Sequence, residues 1–105
     1  MTILSFVLGR LAPRFRTVNE WSAIYRQLVD ARPISAKTKA NRHGALGHVL
    51  DYLGGRMVSA VRPHEVAAMV QDIAQTHPQT AKRVLFEVAD LFNECMNYGL
   101  SLIHI

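Results

Sequence analysis

The sequence predicts an all-α fold, four amphipathic helices around one core. Three observations carry this. Apolar residues recur at spacings of three and four in four separate stretches. Most of these stretches open on a capping residue or a proline and close on glycine or proline. No alternating apolar–polar run of comparable strength marks a strand. The chain has 105 residues, 50% of them hydrophobic and 19% charged, which allows one globular domain with a single core.

The elements follow in order. Residues 1–16 hold the apolar "ILSFVL" and then the basic "GRLAPRFR", where Pro13 breaks any helix; they are an N-terminal extension or linker. Thr17 and Glu20 form a Thr-x-x-Glu capping box, and Val18, Trp21, Tyr25 and Leu28 give a first helix over 18–31. Ser35 caps a second helix over 35–53, with Leu46, Val49, Leu50 and Leu53 on its stripe. Gly54 and Gly55 end it, one of them expected in the left-handed conformation. "RMVSAV" reads as a short connector. Pro63 opens a third helix over 63–76, and Glu65 sits near its positive dipole end. Pro78 opens a fourth helix over 78–98, which Gly99 is expected to stop, and "SLIHI" is open to an extended form. The expected core is Trp21, Leu46, Leu50, Val70, Leu85, Val88 and Phe92, with Cys95 and Met96 also on the fourth stripe.

Enzyme signatures are missing from this order. The five histidines lack metal-site spacing: His43 and His48 are five apart, and four would place them on one face. Cys95 lies on an apolar stripe and reads as a small buried residue. There is no phosphate-binding glycine loop, Gly-x-Ser-x-Gly or His-Glu-x-x-His, and the carboxylates read as dispersed and exposed. No catalytic residue, metal ligand or cofactor is therefore assigned. A single cysteine, an apolar run too short to span a bilayer, and no basic n-region before it point to the cytoplasm.

The cations are more informative. Net charge is +4, and the sequence pI is about 9.7. Along the fourth helix Lys82 and Arg83 come first, then Glu87, Asp90 and Glu94. If helices joined by short links alternate in direction, the second and fourth start at one end. That end would carry Lys37, Lys39, Arg42, Lys82 and Arg83, joined by Arg32, with Thr38, Asn41, Gln79 and Thr80 as short polar contacts. Two helix N-termini would add partial positive charge. The candidate DNA-binding residues are thus Lys37, Thr38, Lys39, Asn41, Arg42, Gln79, Thr80, Lys82 and Arg83. A solvated charged face is the alternative.

Residues 17–100 resemble the core-binding domain of phage-integrase-type tyrosine recombinases. "TVNEW" looks like the opening of that family's first helix. "SAKTKANRHGALGHVLDYLGGRMVSAVRPHEV" is similar to its Ser/Thr-rich helix start, leucine stripe, Leu-Gly stop and Pro-x-acid-Val entry to the third helix. "TAKRVLFEVADLFNECMNYGL" resembles its Thr-Ala-x-Arg, aromatic and terminal x-x-Gly-Leu pattern. The resemblance implies a SAM-like domain of two crossed helical hairpins, with the second and fourth helices approaching duplex DNA during integration and recombination. It implies that catalysis belongs to a separate domain bearing His-x-x-Arg and a tyrosine nucleophile. This chain has no His-x-x-Arg, and Tyr25, Tyr52 and Tyr98 fall in helix patterns of the small domain. Residues 101–105 then read as a tail or the stub of a linker to the missing catalytic domain. Self-association would come through a full-length recombinase assembly.

Two rival readings remain. One is a helical protein–protein interaction domain docking through "ILSFVL" or "LIHI". The other is a small regulator such as a recombination directionality factor, which would need a helix-turn-helix or winged form that the spacing does not show.

Overall fold

The computed structural model describes residues 16–104. Among them are four α-helices: α1 Val18–Asp30, α2 Ala36–Leu53, α3 Pro63–Thr76 and α4 Pro78–His104, with a 3-10 turn at Val58–Ala60. No strand occurs among the described residues; one isolated antiparallel bridge joins Thr17 to Met57. No helix of the described residues is long and apolar enough to cross a membrane. The expected N-terminal extension, with the basic Arg10 and Arg14, lies outside the described residues except for Arg16.

The start of α1 shows how closely its sequence is matched to its surroundings. A helix N-terminus leaves several N–H groups without intrahelical partners. Here each finds one. The Thr17 hydroxyl accepts from the Glu20 N–H at 3.2 Å, and the Glu20 carboxylate accepts from the Thr17 N–H at 3.1 Å, completing the capping box. The Val18 N–H donates to the Arg56 carbonyl at 2.8 Å and the Asn19 N–H to the Gly54 carbonyl at 2.9 Å. The Val58 N–H returns a bond to the Arg16 carbonyl at 2.8 Å. The connector after α2 is therefore the socket that holds the entry to α1.

Ser35 caps α2 as its sequence predicts, accepting from the Thr38 N–H at 3.1 Å. Gly54 adopts an ordinary right-handed conformation, φ −55° and ψ −39°, and no described glycine has positive φ. The expected left-handed cap is thus not formed. The closeness of α1 explains the glycine instead, because a Cβ at Gly54 would lie 2.6 Å from Asn19 Oδ1. Pro63 and Pro78 both open helices as expected. Gly99 does not stop α4, which continues to His104. A lone glycine costs a helix only about 1 kcal/mol, too little to end it without a following turn.

α4 packs against all three other helices, α2 packs on α1, and the tightest pairing is α3 on α4. The core gathers Trp21, Tyr25 and Val29 from α1, Leu46, Val49 and Leu53 from α2, Met69 and Ile73 from α3, and Val84, Val88 and Leu91 from α4. Trp21 is fully buried, and its indole N–H donates to the Leu91 carbonyl at 3.0 Å. Of the expected core, Trp21, Leu46 and Val88 are buried, while Leu50, Val70 and Phe92 are half-buried against it. Cys95 is buried as its position predicts.

Two expectations for α4 fail. Leu85 is 51% exposed and Met96 63% exposed, whereas Leu91, which the periodicity reading passed over, is fully buried. The buried stripe runs Ala81, Val84, Val88, Leu91 and Cys95. It keeps the three-and-four spacing but is turned towards the Glu87 side of the helix. That orientation places Glu87 and Asp90 against Arg42, and Asp90 also against Arg32.

Candidate nucleic-acid interface

The carboxylates of α4 are not dispersed, as the sequence reading held, but inserted between helices. Glu87 is 1% exposed. Its carboxylate receives Arg42 Nε at 3.0 Å and the Tyr25 hydroxyl at 2.9 Å. Asp90 Oδ2 receives Arg42 at 2.5 Å, the Tyr25 hydroxyl at 2.7 Å and Arg32 at 2.8 Å. Arg32 also reaches Glu94 at 3.2 Å. The Tyr25 hydroxyl accepts from Arg42 at 2.9 Å, and its single proton serves one carboxylate at a time. No buried side-chain polar atom among the described residues lacks a partner.

The charges hold one another ionised. Burial works against the charge on Arg42, but Glu87, Tyr25 and Asp90 outweigh it and raise its pKa. Burial likewise opposes the Asp90 charge, and hydrogen bonds from Arg32, Tyr25 and Arg42 overcome this to lower its pKa. Arg32 is raised chiefly by its bond to Asp90. Burial, then Asp90 and Glu87, push the Tyr25 phenol well above its ordinary range.

This network corrects the end-to-end charge picture. Arg32 meets Asp90 and Glu94, and Arg42 meets Glu87 and Asp90. Further along α2, His48 shares a groove with Thr80 and Arg83. Partners on α4 thus move backwards as the chain moves forwards. The first turns of α4 lie beside the middle of α2, not beside its start, so the parallel arrangement does not hold.

Even so, most of the predicted DNA-facing residues converge. A groove of about 510 Å³ between α2 and α4 is lined by Thr38, Asn41, Arg42, Lys82, Arg83 and Glu87, together with the apolar Ile34, Ala45 and Phe86. Thr80 lines the adjoining groove with Asn41, Gly44 and Arg83. Lys37, Lys39 and Gln79 line neither groove. Arg42 is only 12% exposed and committed to two carboxylates, so it is a structural cation at the groove wall. Lys82 and Arg83 are exposed and make no ion pair among the described residues, and the same holds for Lys37 and Lys39, the latter half-buried. Phe86 is the groove residue that sequence reasoning missed. It is 62% exposed, and Arg42 Cζ stands 5.2 Å from its ring centroid. An aromatic one step off an apolar stripe, beside a Lys-Arg pair, was the available signal.

Elsewhere the polar contacts are structural. Arg56 clasps Glu65 through two contacts, at 2.8 and 3.1 Å, tying the connector to the first turn of α3. The Tyr52 hydroxyl donates to Asp72, joining α2 to α3. His43 contacts Asp30 at 2.9 Å. Among the described residues no group of three His, Cys, Asp or Glu side chains is placed to hold a metal ion. No family model, curated protein or solved structure matches this chain.

Proposed function

We propose that this chain is a DNA-binding module of the core-binding, SAM-like kind found in tyrosine recombinases, holding duplex DNA through α2 and the first turns of α4. The observation that carries the reading is the division of the cations. Arg32 and Arg42 are consumed by the carboxylates of α4, while Lys82 and Arg83 project unpaired at a groove shared with α2, and Lys37 and Lys39 lie unpaired on α2 itself. Unpaired cations suit phosphates, whose neutralisation releases counterions. The all-helical fold and the motif order of residues 17–100 support the same assignment. In this reading the strand-cleaving chemistry belongs to another domain, the protein works in the cytoplasm, and self-association arises in a full recombinase assembly.

The test is a duplex titration at low salt, read by fluorescence anisotropy. Non-specific binding of about 10⁻⁴ to 10⁻⁶ M is expected, with a slope of log K against log salt near −3 to −4 for roughly three to four phosphates. Lys82→Glu with Arg83→Glu should weaken binding much more than Arg26→Glu with Arg62→Glu. Both pairs change the net charge equally, and Arg26 and Arg62 are exposed away from the groove. Equal losses would remove the interface from this groove.

A second reading has its own support. Leu85 and Met96 are exposed, and with half-buried Phe92 they form an apolar strip along α4 at helical spacing. Such strips mark helical protein-interaction surfaces. Absence of any duplex binding at low salt would favour it.

A further inference from the structure

We propose that the groove between α2 and α4 receives one unpaired nucleotide, its base stacked on Phe86 and its phosphates held by Lys82 and Arg83. This rests on the DNA-binding reading above and adds a preference for DNA containing an extrahelical or single-stranded base.

The argument starts from Phe86. A large aromatic ring with most of its surface in solvent adds little to the core, yet this one stands against a side chain that is itself fixed. Arg42 lies against the ring with its Cζ 5.2 Å from the centroid, within cation–π range. Arg42 is itself fixed by Glu87 at 3.0 Å and Asp90 at 2.5 Å. The ring is therefore pre-oriented, and its 62% exposure leaves surface available for stacking. The two carboxylates balance the charge on Arg42, so the attraction for phosphate falls to Lys82 and Arg83.

The remaining lining suits a nucleotide. The groove holds about 510 Å³, within the range of about 300–1,000 Å³ seen for small-ligand sites and far too small for a duplex. Ile34 and Ala45 give apolar walls for a base. Asn41 is exposed, and its side-chain amide makes no hydrogen bond among the described residues. A side-chain amide carries the donor–acceptor pair that matches a base edge, adenine best of all. An aromatic platform beside unpaired cations is the arrangement that binds single-stranded nucleic acid. A paired base cannot use it, because both faces are already stacked within the helix. An acidic apolar peptide would engage Lys82, Arg83 and Phe86 as well, so it enters the test as the competing occupant.

The test uses the full chain at low salt with three labelled probes: a duplex, the same duplex with one bulged adenine, and the single strand. The bulged duplex should bind at least about fivefold more tightly than the plain duplex, the lower end of what base–aromatic stacking contributes. Phe86→Ala should erase that difference, while Phe86→Trp should keep it. Because Phe86 is exposed, both variants should retain the wild-type circular dichroism melt. Equal binding of bulged and plain duplex by wild type overturns the proposal while leaving the DNA reading intact, as does a Phe86→Ala variant that weakens every probe alike. Silence of all three probes would sink both. A helical peptide with Asp and Glu flanking paired leucines is the fourth arm. Its binding to wild type but not to Phe86→Ala, with no bulge preference, would assign the groove to a protein partner and overturn the proposal.

Discussion

Arg42 and Glu87 form the innermost ion pair of the described structure, with Nε and Oε2 3.0 Å apart and side chains only 12% and 2% exposed. The pair joins the middle of the chain to its last helix. Breaking a buried pair on one side leaves the other charge uncompensated. Arg42→Ala should therefore cost about 3–5 kcal/mol in urea denaturation. Replacing both partners with methionine should recover much of that loss, since an apolar pair of similar volume is often neutral against a buried ion pair. A cost for Arg42→Ala within the range of an exposed pair, below about 1 kcal/mol, would mean that the pair does not form in solution.

The same network sets an acid limit. The folded-state pKa of Asp90 is lowered from 3.8 by Arg32, Tyr25 and Arg42, against the opposing effect of burial. A depressed carboxylate contributes stability that is fully present above its unfolded pKa and is lost as pH falls through its folded pKa. Glu20, lowered by its bonds to Thr17, acts in the same sense. Thermal midpoints should accordingly fall as the pH drops below 3.8. Asp90→Asn should be less stable than wild type at pH 7, and the difference should shrink below that value. A gap that stays constant down to pH 2 would show that Asp90 is not held ionised by its neighbours.

The fold was legible in the sequence wherever a local rule acted alone. The Thr17–Glu20 box, the Ser35 cap and the prolines at 63 and 78 each act through backbone chemistry within a few residues, and each begins a helix where expected. What was not legible depended on partners far along the chain. Glu87 looks like a surface residue until Arg42, 45 positions away, is placed against it. The candidate site was half legible for the same reason. Lys82 and Arg83 could be singled out by type and position, but nothing local distinguishes them from Arg42, whose charge is spent internally. Residue type indicates that a cation is present; tertiary packing decides whether it remains free.

That rotation of α4 gives a direct packing test. Leu91 is fully buried and Leu85 half exposed, although both fit a helical period with Val88. Leu91→Ala should destabilise by about 2–5 kcal/mol, the range for emptying a core leucine site. The indole bond from Trp21 is made to the Leu91 backbone and should survive. Leu85→Ala should fall within about 0.5 kcal/mol of wild type, as surface changes usually do. The reverse order in a denaturant titration would restore the stripe read from periodicity alone.

Two glycines of α2 and its cap make opposite demands. Gly47 lies inside α2, and a Cβ built there meets nothing within 4 Å. Gly47→Ala should stabilise by up to about 1 kcal/mol, because alanine removes the entropy that glycine loses in a helix. Gly54 has a φ of −55°, which any residue adopts, so conformation alone does not require glycine there. Contact does: an added Cβ would lie 2.5 Å from the Leu50 carbonyl oxygen and 2.6 Å from Asn19 Oδ1. The Asn19 side chain can swing, but the Asn19 N–H is bound to the Gly54 carbonyl at 2.9 Å, which keeps the two backbones together. Gly54→Ala should therefore cost about 1–3 kcal/mol, as overpacked sites do. Melting temperatures of the two variants should move in opposite directions, by about 4–8 °C per kcal/mol for a domain of this size. Gly54→Ala as well tolerated as Gly47→Ala would mean that the start of α1 does not press on the end of α2.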